Sequence, residues 1–257
     1  MTERFGYRTG SFGDWPVERT AQELFRLGYG CVELCLERDD VRPELLYEAR
    51  CRELRRTLDR LGIGLASVSY HGDSEPPDRR RENQKRAVQV ARWLGAGIVV
   101  LNAEKSVDQA RQWAEHVERF KALCALAERA DVTIALEPEP LLVVGSSQEM
   151  AEMMRLVGSP CLKVNLDIGH AQITDADLCS TIRALGSDIV HLHLEDIKGR
   201  VHRHLLFGDG DIDWAAVRQA LDAIGYGGPY VVDLFGPGLD PLSAAEQALA
   251  GLRSRFS

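Results

Sequence analysis

No stretch of the chain approaches the roughly 18 to 20 consecutive apolar residues that a membrane-spanning helix requires, and the opening MTERFGYRTG carries no apolar leader. These absences argue against a membrane partner and make a cytoplasmic protein the expectation. Six cysteines, Cys31, Cys35, Cys51, Cys124, Cys161 and Cys179, form no C-x-x-C pair, and most lie within hydrophobic segments. They read as reduced, buried thiols rather than as a disulfide framework. Positive charge is in short supply: 31 Lys and Arg stand against 39 Asp and Glu, for a net charge of −8. Phosphate-backbone binding needs a basic surface, so nucleic acid is not expected as a partner. No G-x-G-x-x-G follows the first strand candidate, which removes the usual announcement of a dinucleotide-binding open sheet. There is also no Pro/Ser-rich linker or shift of composition to divide the chain.

What the chain does have is alternation. Hydrophobic residues make up 45% of its 257 residues, ample for a core. Short runs rich in Val, Ile and Leu recur as CVELCLE from 31, GLASVSYHG from 64, GIVVLNAEK from 97, TIALEPEP from 133, LKVNLDIGH from 162, IVHLHLEDIKG from 189 and YVVDLFG from 230. RFGYRTGSF near residue 4 is a weaker eighth. Between them lie amphipathic stretches such as SVDQARQWAEHVERFKALCALAERA, whose apolar residues fall at helical spacing. Gly28, Gly62, Gly95, Gly186 and Gly225 each stand just before the next strand, where helices end in a left-handed residue. Eight strand-and-helix units of about 32 residues predict a single (β/α)8 TIM barrel over 1–257.

In such a barrel chemistry belongs at the C-terminal ends of the strands. Glu137 ends the fifth run and Asp167 the sixth. His191 and His193 share one face of the seventh, with His193 nearer the loop by about 6.6 Å of strand rise, so His193 is the better ligand and His191 a deeper support. Asp233 completes the series in the eighth run. Four consecutive strands thus deliver one metal-capable group each to one rim. Of seven histidines only His116 falls in a helical stretch; His71, His170, His191, His193, His202 and His204 lie at strand ends or in the loop after strand seven.

Three carboxylates and an imidazole make a hard donor set suited to Mn²⁺ or Mg²⁺, with Zn²⁺ or Co²⁺ as alternatives. An ion with open positions can chelate adjacent carbonyl and hydroxyl oxygens, acidify the C–H between them and stabilise the enediolate. Glu137 is the first choice for proton transfer, with Asp233 and His170 as further catalytic candidates. His71, His170, His204 and Glu33 are candidates for substrate contact, and Lys198 and Arg203 for a carboxylate or phosphate on the substrate. The run DRRRENQKR at 78–86 reads as an exposed helix face, and Asp213 as a helix cap rather than a ligand.

The blocks LEPEP, LDIGH, HLHLEDIKG and HRHLLFGDGDIDW resemble those of the sugar phosphate isomerase/epimerase type of barrel, related to xylose isomerase and to endonuclease IV. The specific motifs occupy residues 133–236, while the topology covers most of the chain. The resemblance implies a divalent metal held by Glu137, Asp167, His193 and the strand-eight acid. That acid is usually glutamate in the epimerases; here it is Asp233, one methylene shorter, which weakens a two-base mechanism. His71 and His170 match metal ligands of the nuclease type, but His202 replaces its acid and Glu104 stands where it has histidine.

The expected function is therefore a metal-dependent isomerase or epimerase of a small sugar, keto-sugar or related polyol, with the substrate's phosphorylation open. A lyase on the same scaffold, of the keto-inositol or dehydroshikimate dehydratase type, is the alternative. A DNA-repair nuclease or a non-catalytic binding barrel ranks lower, and a homo-oligomer is left open.

Overall fold

The computed structural model describes residues 4–13, 15–235 and 240–256. Eight parallel strands close in sequence order into a barrel. They are β1 (Phe5–Arg8), β2 (Cys31–Cys35), β3 (Gly64–Tyr70), β4 (Ile98–Asn102), β5 (Thr133–Glu137), β6 (Leu162–Asp167), β7 (Ile189–Leu194) and β8 (Tyr230–Val232), with β8 pairing back onto β1. All eight runs picked out in the sequence supply a strand; Gly236, which ends the last of them, lies outside the described residues. The helices are α1 (Val17–Leu27), α2 (Glu48–Leu61), α3 (Pro77–Leu94), α4 (Gln109–Ala130), α5 (Ser147–Val157), α6 (Ile168–Thr174), α7 (Leu178–Leu185), α8 (Trp214–Ala223) and α9 (Pro241–Phe256). Among the described residues no helix is long and apolar enough to cross a membrane.

Helix α1 shows how the repeat is built. It buries Val17, Thr20, Ala21 and Leu24, a stripe at 3.6-residue spacing that can only be satisfied against the barrel wall. Gly28 ends it at φ 101°, a left-handed conformation that lets its N–H reach the carbonyls of Leu24 and Phe25. The ring of helices is closed by α9, whose Ala245 carbonyl accepts a hydrogen bond from buried Tyr29 at 2.8 Å.

Two register shifts place the polar interior. One falls between Val32 and Glu33 where β2 pairs with β3, the other between Val164 and Asn165 where β6 pairs with β7. A bulge adds local twist and re-aims the next side chain. Glu33 and Asn165 are the residues re-aimed, and both are wholly buried inside the barrel.

The loop after β7 folds around Asp196. Its carboxylate accepts from the backbone N–H of Ile197 (3.0 Å), Gly208 (2.8 Å) and Ile212 (3.3 Å) and from Trp214 Nε1 (3.2 Å). Asp213 caps α8 as expected, accepting from Ala216 N at 3.0 Å.

The run at 78–86 departs from expectation. It lies within α3, but Arg80, Asn83 and Gln84 are buried, not exposed. Arg80 Nη2 donates to Asn102 Oδ1 at 2.5 Å and the Ala103 carbonyl at 2.6 Å, and pairs with Asp73 at 3.2 Å. Gln84 donates to the Asn102 carbonyl at 3.2 Å. The helix thus carries a polar stripe inward because the end of β4 leaves acceptors that need donors. Charge alone could not distinguish this stripe from a solvated one. Replacing Arg80 with Ala strands these acceptors and is expected to cost about 3 kcal/mol in urea unfolding. Arg79→Ala, at the exposed neighbouring position, should leave the unfolding midpoint unchanged.

Candidate metal and active site

The C-terminal ends of the strands surround a cavity of about 560 Å³, the size of a small-molecule site. Glu137, His71, His170, His202, His204 and Asp233 line it. Glu137 is grouped with Asp167 and His193, which do not line the cavity themselves; all three are buried, with ligand atoms within 4.8 Å of one another, and form the floor beneath it.

Each of these three is aimed by a neighbour. Asp167 ends β6 and caps α6, its Oδ1 accepting from His170 N at 2.7 Å. Its other oxygen, Oδ2, is buried without a hydrogen-bond partner. Asn165 Nδ2 donates to Glu137 Oε2 at 2.8 Å and holds that carboxylate in place. Glu33 lies 3.0 Å from His193 Nε2 and takes that side of the ring. This leaves His193 Nδ1 facing Glu137 Oε2 at 3.1 Å, out of hydrogen-bond alignment and without a partner. Two inward atoms, one carboxylate oxygen and one ring nitrogen, therefore converge unsatisfied beside a second carboxylate, that of Glu137. Buried polar atoms are rarely left so, and this donor set fits a hard divalent cation.

Asp233 stands at the edge of this group. Its Oδ2 is 3.7 Å from His193 Nδ1, while its Oδ1 is 3.4 Å from Arg8 Nη1. Arg8, buried at the end of β1, also pairs with Glu33 at 3.3 Å and Glu37 at 3.1 Å and donates to Ser69 Oγ at 3.1 Å. Burial opposes ionisation of Asp233, but Arg8 and His193 outweigh it and hold the carboxyl below its ordinary range.

The electrostatics form one system. Burial disfavours a charged Glu137, yet the His193 and His71 imidazoles hold its carboxyl well below the usual value. Burial likewise opposes protonation of His193, and Glu33 and Glu137 together raise its pKa well above the ordinary imidazole. His71 is raised to about 9 by Glu137 against its burial, and His170 to about 9 by Asp167 and Glu137. His191 goes the other way. Burial pushes it down to about 4 in spite of Glu33, and it sits deeper, donating from Nδ1 to Asn165 Oδ1 at 2.9 Å with Ser67 Oγ 2.9 Å from Nε2.

Other candidate and polar residues do not line the cavity. Glu33 is sealed from the cavity and orients His193 and His191 rather than meeting a sugar hydroxyl. Lys198 and Arg203 are exposed, and neither lines the cavity. Glu104 is turned to Arg81 at 3.0 Å and to Arg119, away from the floor. His116, in α4, serves that same corner, accepting from Glu104 N at 3.2 Å.

Glu195 was not anticipated. It is fully buried, and burial first and Asp167 second push its pKa well above the usual carboxylate value. Gly169 makes its room, since a Cβ there would fall 1.9 Å from Glu195 Oε1. The alternation that selects His191 and His193 selects Glu195 next. Arg8, Glu37, Arg38, Asp73 and Glu139, which also line the cavity, come from strand ends and loops with no comparable signal.

A second histidine group lies above the floor. His170 Nε2 is 2.9 Å from His202 Nε2, which is 3.4 Å from His204 Nε2.

A family profile described as the xylose isomerase-like TIM barrel matches residues 21–255. The chain is 25% identical over 263 residues to L-ribulose-5-phosphate 3-epimerase UlaE of Escherichia coli (strain SMS-3-5 / SECEC), covering 95% of this chain and 91% of that protein. Among solved structures, L-ribulose 3-epimerase superposes with a TM-score of 0.81 at 22% identity, over 98% of this chain and 95% of that one. The probable 3-DHS dehydratase AsbF from Bacillus anthracis gives 0.80 at 17% identity, over 99% and 100%. Both structural likenesses bear on the fold alone.

The metal-free site carries a pH signature. His71 and His170 titrate near 9 in the folded chain against about 6.5 unfolded. Their contribution is complete below about 6.5 and is lost as pH rises through 9. In EDTA, the melting temperature should fall between pH 7 and 9.5, by about 2–4 °C for each kcal/mol lost. His71→Asn should flatten the fall in a calorimetric series; an equally steep fall would show that this pair does not carry it.

Proposed function

The chain belongs to the xylose isomerase-like TIM-barrel family, and on that premise we propose that it is a divalent-metal-dependent epimerase or isomerase of a small keto-sugar or related polyol, working through an enediolate. The observation that carries this reading is the convergence of Glu137, Asp167 and His193, with Asp167 Oδ2 and His193 Nδ1 buried and unsatisfied. These three would hold the ion, with Asp233 as a fourth ligand; Mn²⁺ or Mg²⁺ suits the oxygen-rich set best. The ion, when bound, would polarise adjacent carbonyl and hydroxyl oxygens and acidify the C–H between them.

The chain's own residues then have separable tasks. Glu33 accepts Nε2–H of His193 and so presents Nδ1 as the lone-pair donor. Asn165 fixes Glu137 Oε2, which leaves Oε1, 3.3 Å from His170 Nδ1, as the oxygen that takes the substrate proton; delivered to the neighbouring carbon it completes an isomerisation, whereas epimerisation needs a second donor on the opposite face. His170 and His71 flank Glu137 and would orient the substrate hydroxyls beside it. Asp233 is assigned to binding, because Arg8 keeps it anionic and tethered. The sealed floor limits water around the reacting carbon, which strengthens these electrostatic contacts.

The test pairs metal analysis with detection of solvent deuterium by NMR across a panel of ketoses, inositols and their phosphates. Deuterium should appear beside the carbonyl. Asp167→Ala should lose most bound metal, whereas Glu137→Gln should stay folded and lose about 10²- to 10⁴-fold in exchange rate. Absence of exchange from every member of the panel would end this reading. Asp233→Glu should retain metal and change turnover by up to about 10²-fold, since displacements near 1 Å in a reacting site carry that cost. Unchanged kinetics would place strand eight outside the site.

A further inference from the structure

We propose that the site takes an uncharged ketose or keto-polyol and discriminates against its phosphate ester, because the two arginines that line the cavity and the clustered backbone N–H groups described at the ends of β3 and β7 are already occupied by the chain's own carboxylates and carbonyls. This rests on the sugar reading above and narrows its substrate.

A phosphate monoester carries close to two negative charges, and proteins hold it with guanidinium forks, ammonium groups or clustered backbone N–H groups. Among the described residues, the lysines and arginines lining the cavity are Arg8 and Arg38 alone, and both are buried. Arg8 spends its donors on Ser69, Asp233 and Glu37. Arg38 donates to Asp40 at 3.1 Å, to the Thr9 carbonyl at 3.0 Å and to the Trp15 carbonyl. The residues outside the described set include no lysine, arginine or histidine.

Among the described residues, the backbone N–H groups that cluster at the ends of β3 and β7 are committed as well. At the end of β3 the N–H groups of His71 and Gly72 form a two-pronged anion seat, and Glu37 Oε1 fills it at 3.0 Å from each. In the glycine-containing loop after β7, where barrels of this type commonly hold phosphate, the Gly208 and Ile212 N–H groups are held by Asp196. The N–H of Gly199 is held by Asp211 at 2.8 Å. The remaining basic groups are histidines with partners. His71 and His170 face Glu137, and His204 Nδ1 donates to the Asp233 carbonyl at 2.6 Å. His202 is kept neutral at pH 7 by burial and by His170 and His204.

What the mouth offers instead suits hydroxyl groups. Asp39 and Asp73 supply carboxylate oxygens, and Phe235, 63% exposed at the lip, supplies an apolar surface for the C–H face of a sugar. A dianion entering this wall would meet like charge, whereas a polyol would meet acceptors.

The experiment compares matched pairs: ribulose, xylulose and tagatose against ribulose 5-phosphate, xylulose 5-phosphate and tagatose 6-phosphate. Two readouts are taken: deuterium exchange with manganese-loaded protein, and calorimetric binding to metal-free protein at constant ionic strength. The free ketose should lead its ester by at least about tenfold in both, equivalent to about 1.4 kcal/mol. A phosphate ester that exchanges or binds better than its parent overturns the proposal, as does failure of every free ketose to bind. If the free ketoses bind ahead of their esters but none exchanges deuterium, the catalytic reading fails while this assignment stands.

Discussion

The site depends on keeping the carboxylates of Glu33 and Glu137 ionised where water cannot reach them. An isolated buried carboxylate is unaffordable and would take up a proton. Here His193 lies between the two, with Nε2 on Glu33 and Nδ1 on Glu137, and Arg8 supports Glu33 from the other side. One imidazole thus serves two anions, and removing any member would leave a buried charge uncompensated, the costly case for an interior ion pair. The same geometry explains why the site is poised for a cation. His193 Nδ1 and the Glu137 carboxylate face each other at 3.1 Å with no hydrogen bond between them, and a metal ligand must give up its proton, so metal uptake and proton release would be coupled.

A barrel interior is ordinarily filled by layers of branched aliphatic side chains. In this one the layer beneath the floor is polar. Glu33, Ser67, Asn165 and His191 form a closed hydrogen-bonded set, sealed from solvent. Satisfied polar networks of this kind fix geometry more strictly than aliphatic packing, because each member has few orientations that satisfy its neighbours. The strand bulges before Glu33 and Asn165 are what bring these residues into register. Positional accuracy at the metal-capable residues is therefore built one layer below them.

Much of this was legible from the chain alone. The strands are visible as Val, Ile and Leu runs, and alternation within a run identifies the inward face, which is how the sequence brings Glu137, Asp167 and His193 to one rim. What spacing does not reveal is the direction in which a long polar side chain reaches several ångströms: Glu33, open between a sugar contact and a barrel partner, serves His193; Lys198 and Arg203 stay outside the cavity lining; and Arg80 turns inward from a run whose charge reads as a solvated face. Glu195 is different: its position in β7's alternation was available, and its carboxyl went unremarked because an acid followed by Asp196 looks like a loop start.

The sealed network also bears on how the chain reaches its fold. Glu33 and His193 are 160 residues apart in sequence, and Ser67 and His191 are 124 apart. Each half of the barrel holds only some of the partners its buried groups use, Arg8 and Ser67 for Glu33 in the first and Glu137 and Asn165 for the β7 histidines in the second. A nascent chain ending after β4 holds Glu33 and Arg8 without the histidines, and one beginning at β5 holds the histidines without Glu33. Such halves gain little from early closure, and the loop-closure entropy of these distant pairs must be met before the pairs contribute. The polar layer thus ties strands one to four to strands five to eight, and its cross-barrel pairs form only once the two halves have met.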